Sequence, residues 1–358
     1  MNKYSLLLFV VIMVTPVWSC KSGVAVNDRK DITDRLIGKE LFCSDLLGNS
    51  FVGIVGDTVI MEFYSSPKLC GVFIDEGDTL TKVTEILYKG RGPYEFLNPM
   101  MLVENDSLCI VDRDGRGVRK ICHIPVDAIA SPDNNARWRI EDLSWCGTMN
   151  VGSDFLLFDD RRILLSGDEY GRENVLTVID ASSQTKIPLA YWISDGYSGN
   201  VIPKQSIYTD NATLCRKGDK ILYACGEGRY MELFRLTGNG ITDRKTIYAQ
   251  CPEYVDRDGI NYGVFADGNR GIKACATNKY IYAVLRGPLL PSRKYKGYPG
   301  YYYDEIEVYD WDGNFVRNYQ TAQPFMTMSV TDDDSTLYTI SVDLDTMEPE
   351  IVKYMLHR

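Results

Sequence analysis

The 358-residue sequence predicts an all-β chain that folds as a six-bladed β-propeller with four-stranded antiparallel blades. The first observation is a phrase that recurs six times, in which a turn rich in Asp, Asn and Gly leads into an apolar run. The second is the spacing of the central apolar residues, which are 49, 55, 58, 60 and 56 residues apart, as is typical of propeller blades. These central residues, called the anchors below, are Val59, Leu108, Ile163, Ile221, Ile281 and Leu337.

The third observation is the alternation of side chains within the runs. In the run from Tyr280 to Leu285, apolar residues occupy every second position, which is typical of an antiparallel strand with one face in water. Asp114-Gly115 and Asp312-Gly313 suit hairpin turns that require a positive φ. No stretch has the length, periodicity and caps of an amphipathic helix, so we expect almost no helix.

The repeat divides the chain into six predicted units, of which the last is too short for four strands. The segment from Leu36 to Leu41 is therefore predicted to supply its missing strand and to close the ring. A pair of β-sandwich domains is the alternative, but it does not explain the near-regular spacing. The predicted units span residues 43–97, 98–146, 147–204, 205–251, 252–322 and 323–358.

The N-terminal residues predict export. Residues 1–19 read as a signal peptide, with Lys3 ahead of an apolar run that is short for a membrane span. The run Val17-Trp18-Ser19-Cys20 resembles the lipobox of bacterial lipoproteins, which implies lipidation at Cys20. The alternative is a plain secretory signal with an incidental cysteine. Residues 20–35 are polar and predict a tether, followed by one propeller domain over residues 36–358.

Composition argues against several functions. The net charge is −10, so we expect no nucleic-acid partner. The only histidines are His123 and His357, so we expect no histidine-based triad, no metal site and no cofactor. The cysteines after Cys20 lack Cys-x-x-Cys spacing and read mainly as small apolar fillers, although Cys109 and Cys122 can face each other across a hairpin.

One segment resembles a known family. The run Gly90-Arg91-Gly92-Pro93-Tyr94-Glu95-Phe96-Leu97-Asn98-Pro99 resembles the signature of NHL-type propeller repeats, although only one unit carries it. The fifth and sixth units resemble exported TolB-like six-bladed propeller lipoproteins of Gram-negative anaerobes. This resemblance implies a cell-envelope location, expected to be the outer membrane, and implies no particular ligand. For Gly90, Gly92 and Phe96 we expect a structural role, with Phe96 filling a gap between blades.

The best candidate for ligand binding is a long insertion in the fifth unit, where five tyrosines and four basic residues lie in one loop of an acidic protein. Loops of this length are usually functional or disordered, and tyrosine suits contact with sugars or peptides. The alternative is that these aromatics pack over one face of the propeller. A weaker candidate lies in the third unit, at Tyr191-Trp192 and Asp195–Asn200. The predicted ligand-binding residues are Arg286, Arg293, Lys294, Tyr295, Tyr298, Tyr301, Tyr302 and Tyr303.

The sequence therefore predicts a monomeric, lipid-anchored binding module for a glycan, peptide or protein partner, without catalysis. A carboxylate-based glycan lyase or hydrolase is one alternative, and a scaffold in an envelope complex is another. Convergent axial acids with raised pKa values would favour the enzyme. An aromatic surface would favour the binding module, and a flat apolar patch would favour the scaffold.

Overall fold

The computed structural model describes residues 33–43, 50–63, 66–115, 117–129, 135–238, 240–250, 252–257, 260–264, 270–286, 303–343, 346 and 348–356. The predicted signal peptide, Cys20 and most of the predicted tether lie outside these residues. The described chain begins with two short strands, β1 (Thr33–Leu36) and β2 (Gly38–Leu41). The predicted tether boundary at residue 35 therefore falls inside β1.

The next strands form antiparallel sheets in chain order. Sheet one holds β3 (Ser50–Val55), β4 (Thr58–Glu62), β5 (Lys68–Asp75), β6 (Leu80–Lys89) and the two-residue strand β7 (Glu95–Phe96), which is parallel to β6. Sheet two holds β8 (Asn98–Glu104), β9 (Ser107–Asp114), β10 (Gly117–Pro125) and β11 (Arg139–Asp142), with the short helix α1 (Val126–Ile129) after β10. Sheet three holds β12 (Asn150–Leu157), β13 (Arg162–Asp168), β14 (Leu176–Asp180) and β15 (Thr185–Pro188).

A helix and a hairpin flank the fourth sheet. Helix α2 (Val201–Thr209) precedes sheet four, which holds β16 (Ala212–Lys217), β17 (Lys220–Cys225), β18 (Arg229–Thr237) and β19 (Gly240–Gln250). The separate hairpin β20 (Glu253–Arg257) and β21 (Ile260–Val264) follows. The last strands are β22 (Arg270–Ala276), β23 (Tyr280–Arg286), β24 (Tyr303–Asp310), β25 (Phe315–Val330), β26 (Thr336–Val342) and β27 (Pro349–Met355).

The C-terminal strands and the two N-terminal strands form one eight-stranded sheet, because the 16-residue strand β25 is shared by two groups of strands. Its first half pairs with β24, as at Gln320 opposite Glu305, and its second half pairs with β26. We call β22, β23, β24 and the first half of β25 sheet five. Sheet six is the second half of β25 with β26, β27 and β2, which pairs antiparallel to β27 at Leu41 opposite Ile351. Strand β1 lies parallel to β25 at the edge of sheet five.

The buried core lies between the sheets. Each anchor is at most 1% exposed and lies in the second strand of its sheet, directly after the repeated turn. Six apolar clusters fill the spaces between successive sheets, and each contains one anchor. The cluster around Val59 packs Met61 and Phe73 of sheet one against Tyr338 and Ile340 of sheet six.

The connections differ in length at the two ends of the sheets. Because neighbouring strands are antiparallel, the connection from the second to the third strand leaves from the same end as the connection to the next sheet. The segments 189–211, 251–269 and 287–302 all leave from this end, which we call the long-connection end. The turns before the anchors lie at the opposite end, which we call the anchor-turn end.

Two details differ from the sequence-based expectations. Helix α2 was not predicted, although Asn200 caps it by accepting a hydrogen bond from the Ile202 N–H at 3.0 Å. Cys109 and Cys122 do not form a disulfide: Cys109 lies opposite His123, with its sulfur 3.4 Å from Nδ1. Within the described ranges, no helix combines the length and apolar character needed to cross a membrane.

Candidate functional site

The segment from Gly90 to Phe96, called the Gly90 loop, is held by one lysine of sheet two. The Lys120 ammonium donates to the carbonyl oxygens of Gly92, Pro93 and Glu95 at 3.2, 2.7 and 2.6 Å. It also lies 4.3 Å from the ring centre of Phe96, which is fully buried in the cluster between sheets one and two. Phe96 therefore occupies the gap between sheets that the sequence suggested for it.

Contacts within the loop fix its shape. The Glu95 carboxylate accepts a hydrogen bond from the Gly92 N–H at 2.8 Å. A Cβ atom at Gly90 would overlap this carboxylate, so a larger residue there would displace the Glu95 side chain from its bond to Gly92. The loop thus has the structural role expected from its sequence, and its outward residues are presented on a rigid support.

Asp112 fixes the continuation of the loop into β8. Its buried carboxylate accepts hydrogen bonds from the Leu97 and Asn98 N–H groups at 2.8 and 3.1 Å, and from the Arg119 guanidinium at 2.8 Å. Burial raises the pKa of Asp112, and these donors oppose the rise. Burial also lowers the pKa of Lys120, while the charge of Asp112 opposes the fall. The two residues together attach the Gly90 loop to sheet two.

An open groove of about 680 Å³ lies between the Gly90 loop and the outer strand of sheet two. At its wall the rings of Tyr94 and Trp138 meet edge to face, with their centres 5.7 Å apart. Tyr94 is 42% exposed, and Arg91 and Pro93 beside it are also exposed. The groove therefore offers aromatic area and guanidinium donors to a ligand.

The side chains along β11 alternate between the groove and the neighbouring sheet. Trp138, Ile140 and Asp142 line the groove. Between them, Arg139 and Glu141 form ion pairs with Asp160 and Arg161 at 2.7 and 2.8 Å, in the turn before β13. Trp138 and Ile140 are half-buried against the cluster between sheets one and two, whereas Arg139 is exposed. The side of the strand that lines the groove is therefore supported by the core.

Most of the predicted ligand-binding residues lie outside the described ranges, namely Arg293, Lys294, Tyr295, Tyr298, Tyr301 and Tyr302. Arg286 is the last residue of β23. Tyr303 begins β24 and is only 4% exposed, with its ring centre 5.6 Å from that of Phe325. Tyr303 is therefore a packing residue. Packing was the alternative to ligand binding for the tyrosines of this insertion.

The weaker candidate segment of the third unit forms a buried polar cluster. The Asp195 carboxylate pairs with the Lys204 ammonium at 2.5 Å and accepts hydrogen bonds from the Tyr208 and Tyr254 hydroxyls at 3.1 and 2.5 Å. Burial opposes ionisation, but the bonds from Lys204 and Tyr254 hold the pKa of Asp195 below its ordinary value. Tyr254 belongs to the β20–β21 hairpin, so this cluster attaches the hairpin to helix α2 and its preceding segment.

The first strands of successive sheets are neighbours, and one acid on them has an altered pKa. Burial raises the pKa of Asp154 on β12 to about 7, against hydrogen bonds from the Leu214 and Phe155 N–H groups at 2.7 and 2.8 Å. The charged neighbour that affects its pKa is Lys273 on β22. Carboxylate-based glycoside hydrolysis uses two carboxyl groups, whereas this arrangement is an acid beside a lysine. In the described part of the chain, no group of three or more His, Cys, Asp or Glu residues is arranged to hold a metal ion.

By sequence, the chain matches no known protein family and no curated protein. By structure, it is similar to a member of the DUF4221 family from Bacteroides vulgatus, with a TM-score of 0.56 at 9% identity, over 90% of this chain and 96% of that chain. The WD40 repeats of RRP9 match with a TM-score of 0.44 at 9% identity, over 87% and 80% of the two chains. The β-propeller domain of Cps50 (Swd1) from Myceliophteria thermophila matches with a TM-score of 0.41 at 10% identity, over 90% and 100%.

The chain therefore has a β-propeller fold, a conclusion that rests on its sheets and on the first of these similarities. At such low identity the similarity concerns the fold alone. The closer resemblance to NHL-type and TolB-like lipoproteins stays a prediction.

Proposed function

We propose that this protein is a non-catalytic binding module whose groove along β11 takes an extended peptide segment of a partner protein. The observation that carries the proposal is the alternation along β11. Trp138, Ile140 and Asp142 face an open groove, and the opposite wall is a rigid loop with exposed Tyr94 and Arg91. An aromatic, solvent-accessible surface of this kind favours binding over catalysis.

The position of β11 favours a peptide over a glycan. Strand β11 is the outer strand of sheet two, paired with β10 on one side and with no further strand among the described residues. An extended peptide can pair with such an edge, and its alternate side chains then enter pockets beside the strand. Trp138 and Ile140 would contact these side chains, and Arg91 would bind a carboxylate or carbonyl oxygen.

We further propose that the sheets form one six-bladed ring closed by the N-terminal strand. The six four-stranded groups and the six clusters between them support this count. The pairing of β2 with β27 supports the closure. So does the Asp75 carboxylate of sheet one, which bonds to the Tyr338 hydroxyl and the Lys353 ammonium of sheet six at 2.5 Å each.

The proposed module is a cell-envelope lipoprotein anchored through Cys20, with the outer membrane as its expected location. Twelve residues separate Cys20 from β1, which allows a reach of about 40 Å. Strand β1 runs parallel to β25 and so enters at the anchor-turn end of sheet five. The segment 287–302 leaves from the long-connection end, which would then be directed away from the bilayer.

The binding proposal is tested with the purified chain on a peptide array and a glycan array, followed by titration of the best peptide. We expect Trp138→Ala and Tyr94→Ala to weaken peptide binding about tenfold or more, as for aromatic residues at the centre of an interface. Tyr170→Ala is the control, because Tyr170 is 54% exposed, lies in the connection between β13 and β14 and does not line the groove. Binding to glycans alone would refute the peptide assignment. Peptide binding that both groove variants leave unchanged would refute the site.

The insertion between β23 and β24 remains a proposed second contact surface for the same ligand. Replacing Tyr301 and Tyr302 together with alanine should weaken ligand binding while leaving the melting temperature nearly unchanged. A large fall in melting temperature would instead indicate that these tyrosines pack against the propeller.

The alternative of a glycan lyase or hydrolase has Asp154 as its acid, because a pKa of about 7 suits general acid–base catalysis near neutral pH. Asp154→Asn would abolish any such turnover and leave peptide binding intact. The scaffold alternative predicts a stable envelope complex that survives the groove substitutions.

A further inference from the structure

A second, smaller cavity lies at the anchor-turn end, between sheets five and six. Its volume is about 220 Å³. Buried Tyr282, Val308 and Tyr319 form its floor, while Lys279 and Asp333 are exposed at its rim. Sites for drug-sized ligands are usually larger, so this volume suits a smaller molecule.

Two cationic side chains, Lys279 and Arg317, line the cavity. The Lys279 ammonium lies 4.7 Å from the ring centre of Tyr280, and the Arg317 guanidinium lies 5.8 Å from that of Tyr319. Arg317 is 3.4 Å from the Tyr319 hydroxyl and forms a longer ion pair, at 3.5 Å, with Asp34 of β1. Both cations are therefore oriented by aromatic rings and lie where a ligand carboxylate could accept their hydrogen bonds.

Two acids, Asp333 and Asp334, also line the cavity. Asp334 is buried, has a φ of 59°, and accepts hydrogen bonds at one carboxylate oxygen from the Thr277 and Tyr282 hydroxyls at 2.7 and 2.8 Å. A left-handed backbone is tolerated by Asp, and these bonds hold the side chain in place. Asp333 lies next to it at the rim. Its Oδ1 accepts hydrogen bonds from the Thr331 hydroxyl and the Ser335 N–H at 2.8 and 3.0 Å, so contacts within the turn hold this acid in place as well.

We propose that this cavity binds a small zwitterion, an α-amino acid. Its carboxylate would lie at Lys279 and Arg317, its ammonium group at Asp333 and Asp334, and its side chain against the tyrosine floor. The lining itself carries two cations and two acids, with Asp34 beside Arg317. The acids disfavour a polyanion, and Lys279 and Arg317 disfavour a metal cation. The proposal is independent of the groove along β11 and of the peptide assigned to it.

The test is calorimetric titration of the purified chain with the common α-amino acids, followed by blocked derivatives of the best one. We expect saturable binding of at least one amino acid, and at least tenfold weaker binding of its N-acetyl and its carboxamide forms, each of which lacks one charge. Equal binding of either blocked form would overturn the proposal. So would the absence of binding by every amino acid at millimolar concentration.

Variants locate the site. Lys279→Gln and Asp333→Asn should each weaken binding of the amino acid about tenfold, because both residues are exposed at the rim and each removes one charged partner. Lys217→Gln is the matched control, since Lys217 is an exposed lysine at the same end of sheet four. Melting curves verify that each variant is folded. Unchanged affinity in both rim variants would overturn the assignment to this cavity.

Discussion

The ammonium nitrogen of Lys120 lies 2.6 Å from the carbonyl oxygen of Glu95 and 2.7 Å from that of Pro93. Lys120 belongs to sheet two, whereas these carbonyl groups belong to the loop that arrives from sheet one. One buried side chain therefore joins two sheets and shapes a wall of the groove at the same time. Stability and ligand binding should respond together when it is changed.

Replacing Lys120 with methionine should lower the free energy of unfolding by about 2 kcal/mol, because carbonyl oxygens then lose a charged donor. Peptide binding should weaken as the loop loosens. Urea unfolding and peptide titration measure the two effects. Lys89→Met is the control, since Lys89 is an exposed lysine of β6. An unchanged unfolding midpoint in Lys120→Met would show that the loop does not depend on this lysine.

Asp195→Asn should lower the free energy of unfolding by more than Lys120→Met does, by about 3–5 kcal/mol, because it leaves the Lys204 ammonium buried without its charged partner. Chemical unfolding of the variant measures the loss. Glu173→Gln is the control, because Glu173 is an exposed acid in the connection between β13 and β14. This variant should change the free energy of unfolding little. A loss below 1 kcal/mol would contradict the idea that this pair attaches the β20–β21 hairpin to the rest.

Asp75 predicts a dependence of stability on pH. Burial opposes its ionisation, but bonds from Lys353 and Tyr338 hold the pKa of Asp75 below its ordinary value. The folded state therefore binds fewer protons than the unfolded state, so this stabilisation is present above about pH 4 and is lost as the pH falls through the lowered pKa.

The corresponding experiment compares the parent chain with Asp75→Asn by thermal unfolding from pH 6 to pH 3. The variant should be less stable at pH 6 and should lose less stability on acidification. Asp304→Asn is the control, because Asp304 is exposed on β24. Parallel pH profiles of the parent and Asp75→Asn would show that the link between sheets one and six carries no such contribution.

Gly38→Ala tests the pairing of β2 with β27. A Cβ atom at Gly38 would lie 2.6 Å from the Tyr354 ring and would also overlap Val352, so either these buried side chains or the strand must shift. Overpacking of this kind costs about 1–3 kcal/mol. Hydrogen exchange of β27 should become faster. Gly115→Ala is the matched control, since a Cβ atom there meets nothing within 4 Å; equal effects of the two substitutions would argue against close packing at β2.

Cys20→Ala tests the proposed anchor. The variant should lose metabolic labelling with a fatty acid and should appear in the soluble fraction of the envelope, because the acyl chains would supply the membrane affinity. A mutation of Cys43 to alanine provides the control at another cysteine near the N-terminus. Labelling that survives in Cys20→Ala would remove the anchor from the proposal.

The repeat was readable from sequence because every anchor follows a turn and enters a buried strand. Ile221 and Leu337, for example, are both fully buried in clusters between sheets, as apolar residues after a hairpin turn should be. Helix α2 had a weaker signal, an N-capping Asn200 followed by Pro203 in the first turn, which its low amphipathicity obscured.

The groove was not readable, because it depends on residues that are distant in sequence. Tyr94 and Trp138 meet only when the Gly90 loop is folded back over sheet two by Lys120. The Asp195 cluster likewise needs Tyr254 from beyond the fourth sheet. Local patterns specify strands and turns, whereas such contacts are set by the order and twist of the sheets.

The parallel pairing of β1 with β25 has a mechanical consequence. Residues Thr33 to Leu36 lie beside Asn318 to Thr321, so that the N-terminal end of β1 is next to the first half of β25. Tension transmitted from an upstream attachment would load these hydrogen bonds in shear, so that they share the force instead of opening one after another. The first strand would then act as a mechanical clamp that keeps a tethered ring intact when it is pulled.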